Sequence, residues 1–296
     1  MTSSVPNDAP HTATDFADVV ANATPQAEAV GVRRLFLVRH GQTTSNAIHA
    51  LDTALPGADL TELGRMQATE AGTTLAERTQ RARILSSQAA RAQQTAVNVA
   101  HAFAVAGGHV SGVGRDGSEA LPSALLLDDA TAQHMIKSPH ATAAAAGEVR
   151  ALPGVAEIAA GDYEMRNDED AHEHYHRILG EWLYGQRTTR VPGGETGEEV
   201  LLRYLKPLLV ALAEHAERGE EDLALVSHGA VIRLAAGLLG NVPGEWAFGH
   251  YLPNAHMVEL EIPEQLPEIV EGHPDELEAL TGTFRLRAWG LHGTPE

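Results

Sequence analysis

Two stretches of the chain are apolar at every position, Leu35-Phe36-Leu37-Val38 and Leu223-Ala224-Leu225-Val226. A short unbroken run of this kind suits a strand covered on both faces. A third short strand is expected at Arg83 to Ser86, and Met257 to Ile262 and Phe284 to Trp289 alternate like two more. Helical spacing fills the intervals. Thr61 reads as the N-cap of a helix from Glu62 to Arg81. Others are expected near Gln88 to Val105, Ala171 to Tyr184 and Gly197 to Arg218, and from Gly229 to Leu239. Pro207 should kink the third of these. Strands alternating with long helices predict an α/β fold, a three-layer, doubly wound, mostly parallel sheet with helices on both faces.

Residues 1–30, rich in Ala, Thr, Asp and Pro, are expected to form a disordered tail. That leaves 31–296 as a single domain with insertions near 107–150 and 263–282. Composition then narrows the chemistry. The chain carries 40 acidic and 21 basic residues, a formal charge of −19, which disfavours nucleic acid and anionic membranes as partners. An anionic substrate must therefore be drawn into a locally basic pocket. Cysteine is absent, so thiolate catalysis, disulfides and cysteine-ligated metals are excluded. No run approaches 18 apolar residues, and the first twenty lack the basic and hydrophobic regions of a secretory signal, so a cytoplasmic location is expected.

The two apolar strands end alike, in Arg39-His40-Gly41 and Ser227-His228-Gly229. In open α/β sheets ligands bind off the carboxyl ends of the strands. A glycine there lets backbone approach a ligand, and the helix that follows offers free amides to an anion. A third strand end, Ser86-Ser87, leads into a helix bearing Arg91. Phosphoryl transfer needs an in-line nucleophile and positive charge around the equatorial oxygens. His40 can be that nucleophile if it attacks neutral with its other nitrogen held by a backbone carbonyl. Arg39 and Arg91 can clamp the oxygens, and His228 can add a proton or hydrogen bond.

The ordered set of motifs resembles the histidine phosphatase superfamily, which also contains the cofactor-dependent phosphoglycerate mutases. Leu37-Val38-Arg39-His40-Gly41-Gln42-Thr43 with Asn46 is similar to its signature, and Leu60-Thr61-Glu62-Leu63-Gly64 to its next segment. Ser86-Ser87 with Arg91 is similar to the segment of its second arginine, and Val226-Ser227-His228-Gly229 to that of its second histidine. Val155-Ala156-Glu157 followed by Gly161 resembles its general-acid segment, with Glu164 a competitor. Pro192-Gly193-Gly194-Glu195 resembles its Gly-Gly-Glu turn, and Asn254 the asparagine that opens its final strand.

The resemblance implies a phosphoglycerate mutase-like fold and a histidine acid phosphatase-type phosphoric monoester hydrolase. Glu157 would protonate the leaving alcohol and then deprotonate the water, a phosphate neighbour favouring its acid form. Thr43 and Asn46 are expected at the phosphate or substrate, with Gly41, Gly229, Glu195 and Asn254 around the pocket. The implied partner is a small phosphorylated metabolite, with no cofactor and no metal.

A mutase is the alternative, but Ile158-Ala159-Ala160 stands where the mutases have Arg-His-Tyr, and no arginine pair lies between Glu164 and Arg187. A non-catalytic phosphate-binding or scaffold protein would have lost His40, an arginine or the acid. The Asp52–Asp59 loop places acids near the nucleophile, which points to hydroxyls or a positive group on the substrate rather than many phosphates. Two patterns are set aside. Gly112-Val113-Gly114-Arg115-Asp116-Gly117 has dinucleotide-loop spacing without the flanking strand and helix. His172, His174 and His176 read as a solvated helix face rather than metal ligands. Oligomeric state is not readable, and a homodimer stays open.

Overall fold

A computed structural model describes residues 33–111, 149–217, 219 and 222–295. Strands β1 (Arg34–Arg39), β2 (Arg81–Ser86) and β5 (Asp222–Ser227) are its centre, in the order β2-β5-β1 and all parallel. The short β3 (His109–Val110) and β4 (Arg150–Ala151) pair in parallel with opposite ends of β2. On the far side of β1, β6 (Met257–Glu261) and then β7 (Arg285–Trp289) complete the sheet antiparallel.

The apolar runs explain the layers. Side chains alternate across a strand, so Leu35, Leu37, Leu223 and Leu225 enter one core while Phe36, Val38, Ala224 and Val226 enter the other. The second core is closed by α2 (Glu62–Arg78) and α3 (Ala90–Val105). The first is closed by α4 (Glu169–Leu183), α5 (Gly197–Glu217) and α6 (Gly229–Leu239). The three-layer α/β expectation is met. Thr61 caps α2 by accepting from the Gly64 amide at 3.0 Å, and Asp168 caps α4 by accepting from Ala171 at 3.1 Å.

Other expectations shift. The α2 helix stops at Arg78, with Thr79 extended, so β2 begins two residues earlier than the sequence pattern marks. Pro207 lies inside α5, which runs through it as one helix of 21 residues. The stretch 263–282, expected as an insertion, has structure of its own. It holds a short helix, Glu276–Leu280, and buries Ile269, Leu277 and Leu280 in the first core. The 1–30 tail, the Gly112–Gly117 pattern and nearly all of the 107–150 insertion lie outside the described residues. Among the described residues no helix is long and apolar enough to cross a membrane.

Candidate active site

A cavity of about 420 Å³ opens at the carboxyl ends of β1 and β5. Its floor is His40. The ring Nδ1 lies 2.7 Å from the Gly41 carbonyl, which can only accept, so Nδ1 carries the hydrogen and Nε2 keeps its lone pair. Burial, then Arg91, then Arg39 hold the imidazole well below its ordinary pKa, which keeps it neutral and nucleophilic.

The two arginines come from different elements. Arg39, at the end of β1, donates through Nη1 to the hydroxyl of Tyr251 and to the Leu252 carbonyl at 2.7 Å. Arg91, in the first turn of α3, donates through Nε to His228 Nδ1 at 3.3 Å. Arg39 Nε and Arg91 Nη1 are buried without a hydrogen-bond partner. Buried unpaired donors are costly, and two of them beside a bare imidazole nitrogen describe a site built for an anion. Asp52 sits 4.0 Å from Arg91 Nη1 and is itself fixed by Ser45 Oγ and the Ala58 amide.

His228 follows β5 and is fully buried, its ring centroid 5.3 Å from that of His40. Nδ1 accepts from Arg91, so Nε2 carries the hydrogen and donates to Ser87 Oγ at 2.9 Å. Burial, Arg91 and His40 hold it too below the ordinary histidine value. On the opposite wall, Glu157 faces the N-terminus of α6. Its Oε1 accepts from the Ile158 and Val231 amides and its Oε2 from Ala230, at 2.9 to 3.1 Å. A carboxylate has about four lone-pair sites, so Oε2 retains one for a proton.

Residues 35–107 and 131–273 match the histidine phosphatase superfamily (branch 1), most of the chain. The chain belongs to that superfamily. Among solved structures, a mycobacterial glucosyl-3-phosphoglycerate phosphatase is 23% identical, with a TM-score of 0.57 over 87% of this chain and 98% of that one. Mycobacterial hydrolase 1 is 24% identical, with a TM-score of 0.56 over the same shares. Likeness at these identities speaks for the fold alone. A 69-residue stretch is 46% identical to PE-PGRS family protein PE_PGRS11 of Mycobacterium tuberculosis (strain ATCC 25618 / H37Rv). That stretch covers 23% of this chain and only 12% of the relative, so the chain spans a small part of that protein's length.

As a histidine phosphatase superfamily member, the chain brings seven of its sequence-predicted residues to the cavity wall: Arg39, His40, Asn46, Arg91, Glu157, Gly229 and Asn254. His228 stands just behind it. Asn254 precedes β6 rather than the last strand, and its Nδ2 donates to the His40 carbonyl at 3.0 Å. Three more of the predicted residues stand off the cavity wall. Thr43 is buried as the N-cap of a one-turn helix (Thr44–Ala47), accepting from the Asn46 amide at 3.0 Å. Gly41 has no room for a side chain, because a Cβ there would stand 2.3 Å from the Gly64 carbonyl oxygen. Glu195 lies off the cavity, its carboxylate bound to Arg203. Glu164 also leaves the wall to Glu157, because it accepts from the amides of Thr53 and Ala54 and from the Thr53 hydroxyl.

Sequence reasoning missed Arg233 and Tyr251. Arg233 lies one turn into α6 and Tyr251 three residues before Asn254, and both line the cavity. His176 is exposed and His172 half-buried, as a solvated helix face requires, and both also stand on the cavity wall, with His172 Nε2 2.6 Å from the His49 carbonyl. Among the described residues no group of three or more histidines and acids is placed to hold a metal ion.

Proposed function

We propose that this superfamily member is a metal-independent phosphomonoesterase that works through a phosphohistidine at His40 on a small phosphorylated metabolite. One observation carries the reading: the bare Nε2 of a neutral His40 in the same cavity as Arg39 Nε and Arg91 Nη1, two buried donors without a hydrogen-bond partner. The Nε2 lone pair attacks phosphorus, the bond from phosphorus to the ester oxygen breaks, and that oxygen takes the proton from Glu157. Water then attacks phosphorus, the P–N bond returns its electron pair to Nε2, and the water proton restores the acid form of Glu157. The arginines meet the charge on the equatorial oxygens throughout.

Hydrolysis of a monoester with one phosphoryl group is favoured over mutase chemistry. Three arginines line the cavity, and Arg233 spends Nε and Nη2 on the carbonyls of Ala247 and Phe248. Asp52 on the same wall suits a substrate bearing hydroxyls or a positive group. The test is phosphate release from p-nitrophenyl phosphate and a metabolite panel with excess EDTA, beside His40→Ala. The panel includes glucosyl-3-phosphoglycerate, the compound in the name of a protein with a similar fold, and 3-phosphoglycerate with its bisphosphate for mutase turnover. Release that survives EDTA and disappears in His40→Ala is expected. Mutase turnover without hydrolysis would replace the reading.

A further inference from the structure

The segment that carries Glu157 has no ladder or helix of its own, since residues 152–160 are irregular between β4 and a single turn at Gly161–Tyr163. Backbone groups in such a segment need partners from elsewhere. One guanidinium supplies three of them. Arg203, in the second turn of α5, donates through Nη1 to the carbonyls of Gly154 at 2.8 Å and Ala156 at 2.9 Å. Its Nη2 donates to the carbonyl of Glu157 itself at 2.8 Å. Glu195 then grips the far edge of the same fork, accepting from Nε and Nη2. It also accepts from the Ala159 amide at 3.3 Å. Four backbone groups from Gly154 to Ala159 are thus tied to one ion pair.

We propose that the Arg203–Glu195 pair is the positioning device of the proton donor, a reading that rests on the phosphohistidine mechanism above. The pair fixes the main chain at residue 157 on one side, while the α6 amides of Ala230 and Val231 fix the carboxylate on the other. Neither Arg203 nor Glu195 lines the cavity, so neither touches substrate. The planar fork is what matters. A lysine keeps the charge but cannot reach three carbonyls and a carboxylate from one plane. Displacing a general acid by even a fraction of an ångström costs the proton transfer and spares steps that need none.

Leaving groups read this difference. Dinitrophenolate departs without a proton, whereas an alkoxide needs one. In Arg203→Lys, kcat/KM for an alkyl phosphate is expected to fall about tenfold to a hundredfold, while kcat/KM for 2,4-dinitrophenyl phosphate changes by less than about twofold. Glu195→Gln should show the same split more weakly, and it serves if Arg203→Lys does not fold. Adding Arg203→Lys to Glu157→Gln should cost nothing further on the alkyl ester. Equal losses on both esters, or additive losses in the double variant, would overturn the positioning role while leaving the nucleophile intact. Phosphate release that persists in His40→Ala would instead overturn the phosphohistidine reading, and this inference with it.

Discussion

The ends of β1 and β5 carry the same dipeptide, yet the two histidines are held in opposite ways. His40 commits only Nδ1, to a carbonyl one residue on, and leaves Nε2 bare. His228 commits both nitrogens, one to Arg91 and one to Ser87. The glycines differ as well. Gly41 makes room for the Gly64 backbone, and Gly229 makes room for the Arg39 side chain, whose Nε a Cβ would meet at 2.9 Å. A repeated motif at two strand ends is therefore not a repeated role. The first histidine has a lone pair to give, while the second has both nitrogens taken, by Arg91 and by Ser87.

If that division is right, removing the nucleophile costs most. His40→Ala should lose about 10⁴-fold or more in kcat, and an alkaline-quenched digest of the active protein should carry phosphate on His40, bonded at Nε2. Phosphate trapped on His228 instead would reverse the assignment. His228→Ala comes next. Arg91 Nε loses its acceptor, and turnover should fall about a hundredfold while the phosphorylated His40 peptide still forms in the same digest. Complete loss of the phosphoenzyme in that variant would make His228 a participant rather than a support.

The glycines break the comparison in a different currency. Gly41→Ala would drive a Cβ into backbone at 2.3 Å, which has little freedom to yield. It should cost about 1–3 kcal/mol of unfolding free energy in urea titration. Gly229→Ala meets the flexible Arg39 instead. Its stability should stay close to that of the parent while KM rises, because Arg39 must move off the phosphate. Equal stability of the two variants would show that both glycines merely relieve ordinary crowding.

How far the sequence carried the site follows the range of each cause. The strand ends were legible because unbroken apolar runs have one structural solution and deliver the next residue to a predictable place. The role of Gly41 was not, since its steric partner Gly64 lies on the next helix. Thr43 and Asn46 form a local capping box, and the same polar pair at a strand end also suits a ligand contact, so local sequence does not separate the two. Glu195 depends on Arg203 and on a carbonyl cluster forty-odd residues upstream, a relation no local spacing reveals. His172 and His176 had helical spacing in plain view. Polarity alone assigns such a face to water, and a polar cavity wall obeys the same pattern, so only the packing of α4 distinguishes the two.

The smallest effect is one the two histidines share. Burial comes first, followed by Arg91 and Arg39 at His40 and by Arg91 and His40 at His228, and together they keep both rings below the ordinary value of 6.5. In the unfolded chain they would titrate near that value. Between the folded and unfolded pKa values the unfolded chain holds more protons, so unfolding free energy falls as pH drops below about 6.5 and recovers above it. Each histidine should contribute about 1 kcal/mol of this loss by pH 5.5, read as the difference between urea titrations at pH 7.5 and 5.5. Replacing His228 by Asn should flatten that difference. The His40→Asn change should flatten it too, and raise stability slightly at low pH because an uncharged amide then stands between two arginines. A pH difference untouched by either substitution would mean that the rings gain protons in place, and that the neutral nucleophile on which the contrast between the two strand ends depends is absent below pH 6.5.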